Sequence, residues 1–369
     1  MKVVVIAPKA YSFRQFRGEL LLAMKANGHS VIAIAPDKDG QNDAEEFGAS
    51  YKYVPFRRES TNPLSDLLLI VRLRKAIKEE KPDAVFSYAA KPVIYGSIAA
   101  HFAGIKNVYA MLAGLGTIYS IDKNSLKSKI LKVITNLLYT LAFKFCNKVI
   151  FQNKDDLNEL VRYGLLEKEK CNLVSGSGVN MDKYKVVKLP LEPIFIMVSR
   201  ILREKGVMEY CQAARIVKKD CQAARMQLLG PFDNGPEAIK YDHLKPFIDD
   251  GSLEYLGETT NVIPFIEQSA IFVLPSIYRE GIPHSILEAM SMGRPIITTD
   301  GPGCRETVKR GMNGFLVPPH DPLALADAMI KLANDDNTRR QMGEASLQYC
   351  KERFNVSLVN RDMLRIMGL

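Results

Sequence analysis

Pro193-Ile194-Phe195-Ile196-Met197-Val198-Ser199-Arg200-Ile201-Leu202-Arg203-Glu204-Lys205-Gly206 is an apolar run that ends in a basic loop and leads into a helical pattern. An unbroken apolar run of this length predicts a strand buried on both faces, as in a parallel sheet covered by helices. Open parallel sheets bind ligands in the crevice beyond the carboxyl ends of their strands. Arg200 and Lys205 follow the strand and fall at that edge.

The pattern repeats in both directions. Upstream, residues 3–7, 31–35, 51–55, 84–88, 108–112, 148–152 and 172–175 read as strands, with helical patterns over 14–27, 64–80 and 93–103. Downstream, strands are expected at 226–230, 253–256, 271–274, 295–299 and 314–317, and helices at 338–353 and 356–367. This alternation predicts an α/β chain built on open parallel sheets. Residues 180–193 are charged, proline-containing and aperiodic, and separate the two series. A length of 369 residues with 47% hydrophobic content supplies two cores. The expected domains are 1–183 and 184–352, with 353–369 as a final helix.

The second informative stretch is Tyr278-Arg279-Glu280-Gly281-Ile282-Pro283-His284-Ser285-Ile286-Leu287-Glu288-Ala289-Met290. On one continuous helix its two glutamates would lie about 80° apart, loosely on one side. Pro283 argues against continuity, because proline is best tolerated in a first turn, where its missing N–H is no loss. Glu280 is therefore expected at the end of strand 271–276, with His284 or Ser285 opening the helix and Glu288 about one turn in. Such a helix start presents N–H groups and a positive dipole end to an anion, and carboxylates beside it can bind hydroxyls. A phosphate joined to a polyol, as in a sugar nucleotide, suits the combination. Two solvated glutamates on a surface helix are the alternative.

With Arg200 and Lys205 as company, this segment resembles the E-x7-E motif of the retaining family 4 glycosyltransferases. The resemblance implies the GT-B fold, two Rossmann-like doubly wound domains with an interdomain cleft, the donor being held by the C-terminal one. It implies that Glu280 contacts the donor sugar as the catalytic candidate, and that Glu288 holds the ribose hydroxyls. Gly281, Ile282, Pro283, His284 and Ser285 form the donor-binding turn, in which His284 fits a donor contact and a helix cap equally well. Arg200 and Lys205 match the cations that grip the donor diphosphate, where fixed positive charge stabilises the leaving group. Arg203 is off the motif and reads as a solvated charge. Many family members carry histidines where this chain has Phe86, Ser87 and Tyr88, and a further one near Leu112, Ala113 and Gly114. His101 lies among small apolar residues and reads as a packed helix residue, so no protein base is assigned. The implied front-face mechanism tolerates this, since the departing phosphate can take the acceptor proton.

The net charge of +9 belongs to one half: residues 1–183 hold 27 Lys+Arg against 18 Asp+Glu, and residues 184–369 hold 23 against 23. A one-sided basic surface predicts an anionic partner, nucleic acid or an acidic membrane. Between Lys123 and Lys154 seven lysines alternate with apolar residues and no acid intervenes, a basic amphipathic helix over about 125–145. Such a helix can lie in the headgroup plane, pack its stripe on the sheet, or do both. No apolar run is long enough to span a bilayer, and the chain opens directly on a strand, so neither anchor nor signal peptide is expected. The six cysteines lack metal-type spacing and are expected reduced. Asp37-Lys38-Asp39 precedes Gly40 and reads as a turn, so no metal or other cofactor is expected.

The N-terminal half narrows the resemblance. Ser87-Tyr88-Ala89-Ala90-Lys91-Pro92, Ala113-Gly114-Leu115-Gly116-Thr117 and the opening 10–17 resemble the subgroup that extends sugars on polyprenyl diphosphate carriers. Acceptor contacts are expected from Ser12, Arg17, Lys91, Gly114, Gly116 and Thr117, with Lys91 meeting the diphosphate. Ser12, Arg17 and Lys91 equally fit helix caps or surface charges. The resemblance implies transfer of a hexose or N-acetylhexosamine, with retention, from a UDP-sugar resembling UDP-GalNAc to an undecaprenyl diphosphate-linked sugar. The expected location is peripheral, on the cytoplasmic face of the plasma membrane. The alternatives are a GT-B enzyme with a soluble acceptor and a sugar-nucleotide epimerase. Neither strand-to-helix opening contains G-x-G-x-x-G and no nucleic-acid motif interleaves the basic stretch, which disfavours dinucleotide and nucleic-acid binding.

Overall fold

The structure, a computed structural model, describes residues 1–57, 62–119 and 126–369. The chain forms two compact units, Met1–Ser177 with Val356–Leu369, and Gly178–Asn355. The first boundary falls before the expected 183/184, because Val179 already hydrogen-bonds to Phe354 of the second unit.

In the first unit, β1 (Lys2–Ile6), β2 (Ser30–Ala35), β3 (Ser50–Tyr53), β4 (Ala84–Tyr88), β5 (Asn107–Leu112), β6 (Lys148–Phe151) and β7 (Cys171–Leu173) form one sheet. The order is β3-β2-β1-β4-β5-β6-β7 and neighbouring strands pair in parallel. Strand periodicity sends Val4 and Ile6 into one core and Val3 and Val5 into another, which is why β1 carries no polar alternation. Helices α1 (Gly18–Ala26) and α2 (Gln41–Glu45) lie on one face. Helices α3 (Pro63–Glu80), α4 (Ala90–Phe102), α5 (Leu126–Lys144) and α6 (Lys154–Arg162) lie on the other. Asn62 caps α3 by accepting from the Leu64 N–H at 3.0 Å, with Pro63 at the first helical position.

The sequence predicts an unbroken helix from Arg14, but Phe13–Arg17 is a π-helical turn and α1 begins only at Gly18. A wider turn of this kind re-aims side chains and recurs at functional sites. Ala89, between β4 and α4, has φ 67° and ψ 156°, a conformation otherwise almost confined to glycine.

The second unit runs β8 (Ile194–Val198), α7 (Val207–Asp220), β9 (Arg225–Leu229), α8 (Tyr241–Asp249), β10 (Glu254–Tyr255), α9 (Ile263–Glu267) and β11 (Ile271–Leu274). It continues with α10 (His284–Ser291), β12 (Ile296–Thr299), β13 (Gly314–Val317), α11 (Pro322–Asn334) and α12 (Asp336–Arg353). Its sheet order is β10-β9-β8-β11-β12-β13, again parallel. Strand order therefore reverses between β8 and β11, and between β1 and β4 in the first unit, the switch points at which such sheets bind ligands. The last helix, α13 (Val356–Met367), belongs to the first unit and packs Val359, Met363 and Met367 against Leu20, Leu21 and Met24.

Candidate active site

At the switch point of the second unit, the loop after β8 is stitched to the loop after β11. Gly206 has φ 75°, and a Cβ there would stand 2.0 Å from the Pro275 carbonyl oxygen, so only glycine permits the approach. The Glu204 carbonyl accepts from the N–H groups of Ile277 at 2.9 Å and Tyr278 at 2.8 Å, and from Ser276 Oγ at 3.3 Å. Lys205 is thereby delivered to Glu280, and its Nζ donates to Oε1. Ser276 Oγ donates to the same oxygen at 3.0 Å, and Lys205 also stands 5.2 Å above the Tyr278 ring.

Glu280 and Gly281 are supported from below by the loop after β12. Gly303, at φ 76°, leaves no room for a Cβ, which would fall 1.6 Å from the Gly281 carbonyl oxygen. The neighbouring Cys304 thiol is fully enclosed; burial, with the Glu280 carboxylate nearby, pushes its pKa up to about 12 and keeps it protonated.

Pro283 is the N-cap of α10 and His284 opens the helix, one of the two starts expected. One turn in, Glu288 is only 9% exposed. Its Oε1 accepts from the Tyr184 hydroxyl at 2.6 Å and lies 3.0 Å from His284 Nδ1. Ser285 stands beside His284 in the first turn of α10. Arg200 is half-exposed and pairs with Asp233 at 2.7 Å. The Gly235 N–H, with Arg200 beside it, holds the Asp233 carboxyl below the usual carboxylate range.

The structure thus brings Lys205 to Glu280 and places His284 on Glu288, while Arg200 contacts Asp233. Tyr184, Ser276 and Asp233 escaped the sequence reading. Asp233 carried a weak signal, lying in a Gly-Pro loop after β9, but Tyr184 lies 104 positions from its partner and carried none.

In the first unit, Ser12 Oγ is 2.7 Å from the Tyr88 hydroxyl. Arg17 is buried across the carboxyl ends of β4 and β5, with Tyr88 5.2 Å beneath its guanidinium. It donates to Ser177 Oγ at 3.2 Å and Met111 Sδ at 3.0 Å, and no carboxylate among the described residues pairs with it. Lys91, expected to meet a diphosphate, is engaged within the protein. It pairs with Asp66 at 2.7 Å, donates to the Arg57 carbonyl at 3.0 Å and lies over the Tyr95 ring. Gly114 and Gly116 both have positive φ, at 97° and 65°. The Thr117 side chain lies outside the described residues, as does Ser125 at the start of the expected lysine helix.

The second-unit cluster can receive a polyol on its carboxylates and an anion at the start of α10, with Lys205 and Arg200 as fixed cations. The family described as "Glycosyl transferases group 1" matches residues 192–335, and "Glycosyl transferase 4-like" matches residues 6–153. A Campylobacter jejuni protein named N,N'-diacetylbacillosaminyl-diphospho-undecaprenol alpha-1,3-N-acetylgalactosaminyltransferase is 28% identical over 362 residues, covering 94% of this chain and 93% of its own. An Escherichia coli protein named UDP-Gal:alpha-D-GlcNAc-diphosphoundecaprenol alpha-1,3-galactosyltransferase is 25% identical over 296 residues, covering 77% and 74%. Among solved structures, Anabaena HepE in complex with UDP and glucose superposes with a TM-score of 0.80 at 17% identity, covering 100% of this chain and 99% of that one. The parallel sheets of the two units, the residues gathered at the second switch point and these matches agree: the chain belongs to the group 1, family 4-like glycosyltransferases and has the GT-B fold.

Proposed function

We propose that this glycosyltransferase moves a hexose or N-acetylhexosamine, with retention, from a UDP-sugar to an undecaprenyl diphosphate-linked sugar, with UDP-GalNAc the first donor to test. The observation that carries the reading is the Lys205–Glu280 pair beside the start of α10, with Glu288 held by Tyr184. Glu280 addresses the donor sugar hydroxyls and Glu288 the ribose. Arg200 and Lys205 offset the charge of the departing nucleoside diphosphate without reorganising. Gly281, Ile282, Pro283, His284 and Ser285 shape the donor turn, and the first unit, through Ser12, Arg17, Gly114, Gly116 and Thr117, receives the acceptor. No step is assigned to a metal or other cofactor. The names of the Campylobacter and Escherichia relatives support an undecaprenyl diphosphate-linked acceptor.

A lipid-linked acceptor supports a location at the cytoplasmic membrane surface, and so does α5. Its sequence holds lysines and no acid. Thr135, Tyr139, Ala142 and Phe143 are buried, whereas Ile130, Val133, Ile134 and Leu137 on the opposite side are exposed. The two sequence readings of this helix are therefore compatible: one face packs on the sheet and the other is free to enter headgroups. No helix among the described residues is long and apolar enough to cross a membrane.

Incubation with a panel of UDP-sugars and a short-chain polyprenyl diphosphate-linked sugar, followed by NMR of the new linkage, tests the proposal. A single α-linked product from an α-linked donor is expected. Donor hydrolysis, epimerisation without transfer, transfer only to a soluble glycan, or an inverted product would each overturn it.

A further inference from the structure

Helix α3 carries a second exposed apolar stripe, which its sequence does not separate from an ordinary core face. Leu69, Leu73, Ala76 and Ile77 are buried against the sheet, yet Leu64, Leu67, Leu68 and Val71 are between 53% and 73% exposed. The exposed four recur at i, i+3, i+4 and i+7, a continuous strip along the first half of the helix. The corresponding strip on α5 runs from Leu126 to Leu141, with exposures from 43% to 75%.

The topology puts the two strips on one surface. Helices α3, α4 and α5 are consecutive crossovers between parallel strands, so all three run antiparallel to the strands and begin at the sheet's carboxyl edge. Helix α4, between the other two, is buried from Pro92 to Ala100. Helices α3 and α5 are thus the outer surface of this layer. The apolar strip of α3 starts at the edge where Ser12, Arg17 and Gly114 lie, and so does that of α5.

We propose that α3 and α5 together form a two-helix face that docks on an anionic lipid bilayer; this rests on the reading of α5 as membrane-facing. Charge selects the partner. The acids of α3 are already paired, Asp66 with Lys91 at 2.7 Å and Glu79 and Glu80 with Lys52 at 2.8 Å each. Among the described residues Arg72 and Arg74 donate to the carbonyls of Pro55 and Phe102 and pair with no carboxylate, and Lys75 and Lys78 extend the row. An apolar strip flanked by unneutralised cations matches acyl chains beneath acidic headgroups. A second copy of the chain would bring the same cations against these, which disfavours self-association. Two parallel helices also fix rotation about either one, so the carboxyl edge of the sheet would meet the membrane in a defined orientation.

Vesicle flotation tests this with two variants, Leu67→Ser/Leu68→Ser/Val71→Ser on α3 and Ile130→Ser/Ile134→Ser/Leu137→Ser on α5. The wild type is expected to float with phosphatidylglycerol-containing vesicles and not with pure phosphatidylcholine, and to be released by salt. The α3 variant is expected to lose about tenfold in partitioning. Its melting temperature and its turnover of a short-chain acceptor without vesicles should stay at wild-type values, because the replaced side chains are exposed. If the α5 variant loses binding and the α3 variant does not, the two-helix face is wrong while the α5 reading stands. If neither variant loses binding, both fall. A wild-type oligomer dispersed by the α3 substitutions, with vesicle binding unchanged, would assign α3 to a second copy and overturn the proposal.

Discussion

Lys205 and Glu280, 75 positions apart in sequence, form an ion pair that joins the loop after β8 to the loop after β11. Both side chains are largely buried, at 17% and 11% exposure. Removing one partner of such a pair strands a charge and destabilises by about 3–5 kcal/mol, whereas neutralising both is close to neutral. Lys205→Met should therefore melt well below the wild type, and Lys205→Met/Glu280→Gln should recover most of the difference. Turnover should not recover, since loss of an electrostatic stabiliser lowers kcat by about 10²–10³. Thermal melts beside a transfer assay decide it. A double variant that regained activity would remove both residues from the chemistry.

Tyr184 holds Glu288 through its hydroxyl at 2.6 Å, in a buried position. Tyr184→Phe deletes one hydrogen bond to a carboxylate, about 1.5–3 kcal/mol of interaction, and keeps the ring. If Glu288 serves the ribose, the loss falls on nucleotide binding. UDP affinity by titration calorimetry should drop about tenfold or more, and kcat at saturating donor should change little. A fall in kcat with unchanged UDP affinity would move Glu288 away from the nucleotide.

Arg17 and Arg294 are both buried arginines, and burial pushes the pKa of each from the usual arginine value down to about 10. Arg294 donates to the carbonyls of Ile266, Val187, Met292 and Glu267, a structural role. Among the described residues Arg17 has only a serine hydroxyl and a thioether as acceptors, and its Nε has no partner. A depressed pKa on a base means that the unfolded chain binds more protons, so stability rises as pH climbs from about 10 toward the unfolded value. Below about 10 the full penalty applies, roughly 3 kcal/mol. Arg17→Met should accordingly melt several degrees higher at neutral pH and lose transfer, whereas Arg294→Met should melt lower. The Arg17→Met gain should shrink above pH 10. A lower melting temperature for Arg17→Met at neutral pH would make it a structural residue like Arg294.

The central strands were legible because buried parallel strands lack polar alternation, as in Ile271–Leu274, whereas the edge strands β3 (Ser50–Tyr53) and β10 (Glu254–Tyr255) are only partly buried and mix polar with aromatic residues. The residues gathered at the second-unit switch point were legible from charged side chains placed directly after two strands. What was hidden depends on long-range pairing. Asp66 neutralising Lys91 and Tyr184 fixing Glu288 leave no local pattern, since the partners lie 25 and 104 positions away. The π-turn before α1 was also invisible, because Phe13–Arg17 has ordinary helical composition. The exposed strip of α3 escaped for the opposite reason: its leucines are typical of a core, and only the packing shows which of them are outside.

Gly303 supplies the sharpest test of how the turn before α10 is supported. Gly303, at φ 76°, and Gly311, at 73°, have nearly the same positive φ. A Cβ at Gly311 meets nothing within 4 Å, whereas at Gly303 it would overlap the Gly281 carbonyl oxygen at 1.6 Å and approach that of Glu280 at 2.7 Å. Alanine at either site carries the left-handed penalty of about 1–2 kcal/mol. Only at Gly303 must the backbone at Glu280 and Gly281 also move. Gly311→Ala should therefore lower the melting temperature by a few degrees and bind UDP normally. Gly303→Ala should melt lower still and lose donor affinity and turnover together, because Glu280 leaves its contact with Lys205. Melting curves and UDP titrations on the two variants separate the terms. Equal melting temperatures with wild-type UDP binding in both would show that the loop after β12 does not hold Glu280 in place.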